Sequence, residues 1–202
     1  MTFKSFESDH SAEIGAMFTS PDARSEYELR LLRVARELRP ARPPAPWRAS
    51  AADIPAAGAI ACGWDEEENF LLISGSGYSL NRPDTGARLL RDRDAVRAMA
   101  AFSPDSLAFT PPHGGRPIAV YGFEAGGGCR LTQDGWRAET LYPWWPRASV
   151  ILENVFEAGY VYLERAALLD TRRLDGPLLC GFSPSGRHLA ILGSGGALLY
   201  SR

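Results

Sequence analysis

Two stretches of this chain, 118 residues apart, carry the same order of strands and turns, and no other feature restricts the fold as much. The first runs Gly58-Ala-Ile-Ala-Cys-Gly-Trp64, the acidic turn Asp65-Glu-Glu-Glu-Asn69, Phe70-Leu-Leu-Ile-Ser74, Gly75-Ser-Gly77 and Tyr78-Ser-Leu-Asn81. The second runs Gly176-Pro-Leu-Leu-Cys-Gly-Phe182, Ser183-Pro-Ser-Gly186, His188-Leu-Ala-Ile-Leu192, Gly193-Ser-Gly-Gly196 and Ala197-Leu-Leu-Tyr200. Aligned without a gap, Cys62 falls on Cys180, Gly63 on Gly181, Leu71 on Leu189, Ile73 on Ile191 and Leu80 on Leu198. Short apolar runs punctuated by Gly, Asp and Asn predict antiparallel meanders. Phe70-Leu-Leu-Ile and Leu189-Ala-Ile-Leu are apolar without alternation, which predicts strands covered on both faces.

After the first meander, Asp84-Thr-Gly86 turns the chain into a fourth strand, Ala87-Arg-Leu-Leu90. Weaker sets of strands and turns lie between the two copies, at Pro117–Phe123, Cys129–Thr132, Trp136–Tyr142, Ala148–Leu152, Gly159–Leu163 and Ala167–Thr171. The offset is close to three periods of about 40 residues, the length of a propeller blade. Phe182-Ser-Pro-Ser-Gly-Arg-His-Leu-Ala190 with Gly193-Ser-Gly-Gly196 resembles the inner strands of a WD40-type blade, and Asp84-Thr-Gly86 its outer turn. The Trp-Asp dipeptide of that family is missing, since Asn81-Arg82 and Tyr200-Ser201 stand at the strand ends. The resemblance implies an all-β fold of antiparallel meander repeats with an N-terminal helix, four-bladed and propeller-like. A β-sandwich or an irregular barrel built from similar hairpins is the alternative. The last copy ends after its third strand, so a segment within Trp47 to Ile54 is expected to supply the fourth.

Residues 1–56 read as a helix and connector preceding a repeat domain at 57–202. Ser20 as N-cap, Pro21 at the first position and Asp22 in the first turn predict a helix from Pro21 to Leu38. Its apolar face is Tyr27, Leu31, Val34 and Leu38. Arg39-Pro-Ala-Arg-Pro-Pro-Ala-Pro-Trp-Arg48 then enforces an extended connector. A second short helix, Ala95-Val-Arg-Ala-Met-Ala100, has Asp92 or Asp94 to cap it.

A net charge of −2 lacks the basic footprint that phosphate recognition needs, so nucleic acid is not an expected partner. No apolar run is long enough for a transmembrane helix, and the N-terminus lacks the pattern of a signal peptide, so a cytoplasmic location is expected. Cys62, Cys129 and Cys180 have no C-x-x-C spacing, and His10, His113 and His188 have none that suggests a metal site, so neither metal nor cofactor is expected. Cys62 and Cys180 read as small buried thiols. Gly181-Phe-Ser-Pro-Ser185 begins like a nucleophile elbow but has Ser185 where the second glycine belongs, and reads as a hairpin turn.

With no convergent acid, base and nucleophile, the expected function is non-enzymatic protein binding. The candidate partner-binding residues are the turn Asp65, Glu66, Glu67 and Glu68, together with Trp144, Trp145 and Arg147 from Tyr142-Pro-Trp-Trp-Pro146-Arg147, because exposed charge steers association and exposed tryptophan anchors it. In size and in its terminal Gly-Phe-Ser-Pro-Ser-Gly hairpin the chain resembles small bacterial toxin-immunity proteins. That resemblance implies a toxin as partner, neutralised by covering its active site. The competing readings are a hydrolase with a loop-assembled site, for instance Asp92, Asp94 and His113, and a scaffold subunit joined through the helix and the Pro-rich segment.

Overall fold

The computed structural model describes residues 24–48, 51–159 and 161–202. A helix, α1 (Glu26–Glu37), is followed by a short strand, β1 (Ala52–Pro55). The first meander comprises β2 (Ala59–Trp64), β3 (Phe70–Ser74), β4 (Gly77–Asn81) and β5 (Arg88–Asp92). Helix α2 (Ala95–Met99), β6 (Ala108–Phe109) and β7 (Ile118–Gly122) lead to β8 (Trp136–Trp144), β9 (Arg147–Asn154) and β10 (Ala167–Leu168). The chain finishes with β11 (Leu179–Phe182), β12 (His188–Gly193) and β13 (Gly196–Ser201).

These strands form three antiparallel sheets, in the orders β5-β4-β3-β2-β7-β6, β1-β13-β12-β11 and β10-β9-β8. The four units expected from a 40-residue period are therefore three, and none closes on itself. The predicted strand at Pro117–Phe123 does not found its own sheet. As β7 it pairs with β2, Cys62 opposite Tyr121, and extends the first meander. Cys129–Thr132 forms only an isolated bridge, between Leu131 and Arg137. Residues 161–163 are not strand, while Tyr160 lies outside the described residues.

The sheets stack face to face. The middle, four-stranded sheet packs Ala190, Leu192 and Leu199 against Cys62, Trp64, Phe70 and Leu72 of the first. Its other face packs Cys180, Phe182, Leu189 and Ile191 against Trp136, Ala138, Val150 and Leu152 of the third. Every residue of β3 is buried, as is every residue of β12 after His188, the double cover that the unbroken apolar runs predict. The outer face of the first sheet, with Ala61, Leu71, Ile73 and Tyr78, is closed by Ala98 of α2 and by Phe109.

The repeat is real, but its register changes inside the first hairpin. Cys62 pairs with Leu72, whereas Cys180 pairs with Ile191. The cause is turn length. Asp65 N donates to Asn69 O around three residues, and Ser183 N donates to His188 O around four. Beyond the turn, the structural equivalent of Leu72 is thus Ile191, one residue later than the gapless alignment places it. A one-residue slip moves a strand's side chains to the opposite face, so the distinction is physical. Leu71 and Leu189 point in opposite senses along the stack, while Cys62, Leu72, Cys180 and Ile191 all point toward the next sheet. Equivalent faces of the two meanders are oriented the same way along the stack.

Two pairs of glycines explain why the copies look alike. Gly77 and Gly196 begin the third strand of each meander with positive φ, and a Cβ on either would lie 2.2 Å from a carbonyl oxygen of the fourth strand, Asp92 O or Ile54 O. That fourth strand is β5 in the first sheet. In the middle sheet it is β1, paired with β13 through Ile54 opposite Ala197, as expected for the segment ending at Ile54. Residues on both sides of position 56 therefore share one sheet. Gly63 and Gly181 sit where another segment runs along the open edge of the first strand. A Cβ at Gly63 would lie 2.5 Å from Ala119 O, and at Gly181 it would lie 2.8 Å from the Cα of Gly128. Phe182 N donates to Cys129 O there, so both edges are covered by backbone.

Helix α1 starts later than its proposed cap. Ser20, Pro21 and Asp22 lie outside the described residues, and the N-cap is Ser25, which forms a reciprocal capping box with Glu28. None of its residues is buried. The Pro-rich connector runs beside the edge strand β10 of the third sheet, where Pro40 bridges Leu168 in parallel and Ala41 N donates to Leu168 O, and then turns inward. Trp47 is buried against Trp136 and Phe182. Among the described residues, no helix is long and apolar enough to cross a membrane.

Candidate functional site

Two places at opposite ends of the stack combine exposure with built geometry. One lies beside the β2–β3 turn and includes Pro184, just after β11; the other includes Gly176, Pro177 and Leu178, just before β11.

The first is a cavity of about 510 Å³ on the outer face of the first sheet. Leu71, Leu80 and Leu90 line it, three residues in register across β3, β4 and β5. The loop 111–117 contributes further lining and is tied down twice. His113 Nε2 lies 3.1 Å from Asp92 Oδ2, and Arg116 donates to Glu66 Oε1 at 2.6 Å. Asp92 is buried and also accepts from the amide of Asp94 at 2.9 Å and from Arg97 at 2.7 Å. The Asp94 amide, with the guanidinium of Arg97 and the ring of His113, holds the Asp92 carboxyl below the usual range against the opposing effect of burial. Asp94 itself caps α2 by accepting from Arg97 N. Of the three residues of the hydrolase reading, the fold therefore joins Asp92 and His113 and gives Asp94 a structural task.

The acidic turn divides. Asp65, Glu66 and Glu67 line the cavity. Asp65 accepts from the backbone and side-chain nitrogens of Asn69, and among the described residues Glu67 has no hydrogen bond or ion pair. Glu68 is not exposed as its place in a turn suggests; it is buried. Its φ of 60° ends the three-residue turn and directs the carboxylate onto the neighbouring repeat hairpin. There Oε1 accepts from Ser185 N and Oε2 from Ser185 Oγ, both at 2.6 Å. Burial raises the Glu68 pKa, but the two Ser185 hydrogen bonds, with Arg187 and His188, outweigh it and leave the carboxyl below its ordinary value. Glu68 thus joins the two copies of the repeat. The serine-bearing segment Gly181–Ser185 is a strand and hairpin turn, as read from the sequence.

The second place is the β8–β9 hairpin. Trp144 and Trp145 stand at its tip, 56% and 80% exposed. Trp144 carries the guanidinium of Arg36 over its ring at 4.8 Å, and Arg36 Nε donates to Pro143 O, which attaches the hairpin to α1. Trp145 packs on Tyr142, their ring centroids 5.4 Å apart. Arg147 pairs with Trp144 across the turn and, with Trp145, lines a groove that continues to Leu174 and Pro177. The tryptophan hairpin and the acidic turn do not form one surface.

Cys62 and Cys180 are buried free thiols in different core layers, while Cys129 is exposed. Burial pushes the Cys62 thiol up to about 12 and that of Cys180 to about 11, so neither is a nucleophile. Among the described residues, no three His, Cys, Asp or Glu side chains are arranged to hold a metal ion. The chain matches no family model, no curated protein and no solved structure.

Proposed function

We propose that the chain is a non-enzymatic protein-binding module that meets its partner through the Trp144–Trp145 hairpin. The observation that carries this reading is the exposure of two adjacent tryptophans at a tip braced from behind by Arg36 and Tyr142. Rigid aromatic side chains lose little entropy on binding and are enriched among interface anchors. Helix α1, with no buried residue and with Tyr27 and Leu29 exposed, extends the surface beside the hairpin. In its narrower form the partner is a toxin whose active site the hairpin covers. Burial of Glu68 leaves fewer exposed charges on the acidic turn to steer association, so the tryptophans take precedence over it. The same-sense stacking and the strand borrowed from the N-terminal side support kinship with propeller blades, here as an open stack of three. Three free cysteines, two of them in separate core layers, suit a reducing cytoplasm.

The test is affinity capture from the native host with the wild-type chain and with a Trp144→Ala/Trp145→Ala variant whose circular dichroism is unchanged. The wild type should retain a protein partner in stoichiometric amount. Loss of two anchors at about 2 kcal/mol each should remove it from the variant. Recovery of the wild type alone, or equal retention by the variant, contradicts the proposal.

A hydrolase is the second reading, favoured by the Asp92–His113 contact at the cavity. It requires ester or amide cleavage that His113→Ala abolishes.

A further inference from the structure

The third sheet leaves one of its edges partly unpaired, beside the tryptophan hairpin. β8 is the last strand of the order β10-β9-β8, so one side of its backbone faces away from the sheet. Which residues face that way follows from the bonds around them. Val155 N donates to Gly135 O, and Leu169 N donates to Val150 O on the far side of β9. The Thr140–Val150 pair is therefore of the non-bonded kind, and the amide and carbonyl of Thr140 point outward, as do those of Trp136 and Ala138. The segment 130–132 covers the first part of this edge: Thr132 N donates to Trp136 O, and Ala138 N donates to Arg130 O. At Thr140 that cover has ended, and no outward backbone bond is made among the described residues. Farther on, Pro143 and a register shift between Leu141 and Trp144 close the edge before the hairpin tip.

The flank of the open stretch offers room for side chains. Thr140 Oγ1 lies 3.8 Å from Cys180 Sγ, so β8 lies over β11, the edge strand of the middle sheet. Two residues from that contact on either chain segment, Tyr142 and Leu178 line the groove of about 610 Å³ that Trp145, Leu174 and Pro177 also line. A strand directs alternate side chains to its two faces, so a segment laid along Thr140 presents every second side chain to the gap between the sheets, where this groove opens. Arg130 and Arg147, both exposed, flank the stretch, and among the described residues their side chains have neither ion pair nor hydrogen bond. With Arg36 they outnumber Glu139 and Asp175, since Asp170 and Arg172 neutralise each other.

We propose that an extended segment of the partner adds to the edge of β8 as a further strand. Its backbone bonds to the amide and carbonyl of Thr140, an apolar side chain enters the groove, and a carboxylate lies at Arg147. In strand addition, main-chain bonds fix register and pockets for alternate side chains select the sequence. The proposal rests on the protein-binding reading and specifies how the partner is held: the tryptophans anchor it, and the strand edge orients it.

Amide exchange followed by NMR on the full chain, alone and with the partner retained in the capture experiment, tests this. Alone, the Thr140 amide should exchange at least about tenfold faster than those of Arg137 and Glu139, which face β9. With the partner it should become as slow as they are. Thr140→Pro removes the outward N–H and costs the sheet no ladder bond, so it should fold and should bind the partner about tenfold more weakly. Thr140→Val keeps the amide and should bind as the wild type does. If Thr140→Pro does not fold, the exchange of Thr140 decides alone. A Thr140 amide that is slow in the free chain, or still fast in the complex, overturns the proposal. Protection of the Cys180 amide in its place would put the segment on β11, and slowing of Thr140 with chain concentration alone would make the occupant a second copy; either result also overturns it. Loss of the partner by the tryptophan variant with full retention by Thr140→Pro refutes strand addition and leaves the hairpin reading standing, whereas capture of no partner refutes both.

Discussion

Replacing Glu68 with alanine removes the carboxylate that ties the two repeat hairpins together. Its oxygens accept two hydrogen bonds from Ser185 at 2.6 Å. Bonds of this kind to a charged group contribute about 1.5–3 kcal/mol each where water is excluded. Ser185 is exposed, so water can take over its donors once the carboxylate is gone, and the expected net loss falls to about 2 kcal/mol. For a chain of this size, that corresponds to a melting temperature lower by about 4–8 °C. Glycine at the same position also loses the bonds but relieves the left-handed backbone at φ 60°, so Glu68→Gly should be about 1 kcal/mol more stable than Glu68→Ala. The pH dependence has a definite sign. The folded pKa of Glu68 lies below its ordinary 4.5, so its contribution is complete above that value and is lost as the pH falls through the folded pKa. Urea unfolding followed by tryptophan fluorescence, at pH 7 and at pH 3, should show the wild-type advantage over Glu68→Ala shrinking in acid. An alanine variant within 0.5 kcal/mol of wild type, or a difference that does not change with pH, would refute the reasoning.

Gly63→Ala and Gly181→Ala should each cost about 1–3 kcal/mol in the same assay, because their Cβ atoms meet backbone of the crossing segment, whereas Gly75→Ala, with open space around it, should be nearly neutral. Arg137→Met should cost about 3–5 kcal/mol, since it leaves the fully buried Glu153 carboxylate without its cation. Adding Glu153→Gln should recover much of that loss, and a double-mutant cycle measures the coupling. In the native chain, a thiol reagent should label Cys129 alone, with Cys62 and Cys180 reacting only after denaturation.

What the sequence makes legible is local. The unbroken apolar runs of β3 and β12 announce double cover, and the prolines after Leu38 stop α1 where the structure stops it. The missing fourth strand of the last meander points to the segment that becomes β1. The cap of α1 was also readable: Ser25-Glu-Tyr-Glu28 is a capping-box signature, and the Ser-Pro-Asp upstream competes with it. The errors come from relations between distant residues. One residue more in the Ser183–His188 turn shifts β12 and β13 against the alignment, yet Gly75-Ser-Gly77 still matches Gly193-Ser-Gly195 by composition, which hides the slip. Nothing near Ile118–Gly122 indicates that it joins the edge of β2 and not a sheet of its own. Glu68 looks solvated because its partner, Ser185, is 117 residues away. The cavity depends on the loop 111–117, which the contacts of His113 with Asp92 and of Arg116 with Glu66 tie down. The tryptophan hairpin was the most accessible of the candidate sites, since two tryptophans between prolines at a turn leave little apolar surface to cover them.

Hydrogen–deuterium exchange of the chain, alone and with the partner retained in the capture experiment, tests the central claim most directly. The account predicts protection on binding at residues 141–148 and along α1, with the acidic turn at 65–69 unchanged. Protection at 65–69 with an unchanged hairpin would contradict it and return the interface to the other end of the stack.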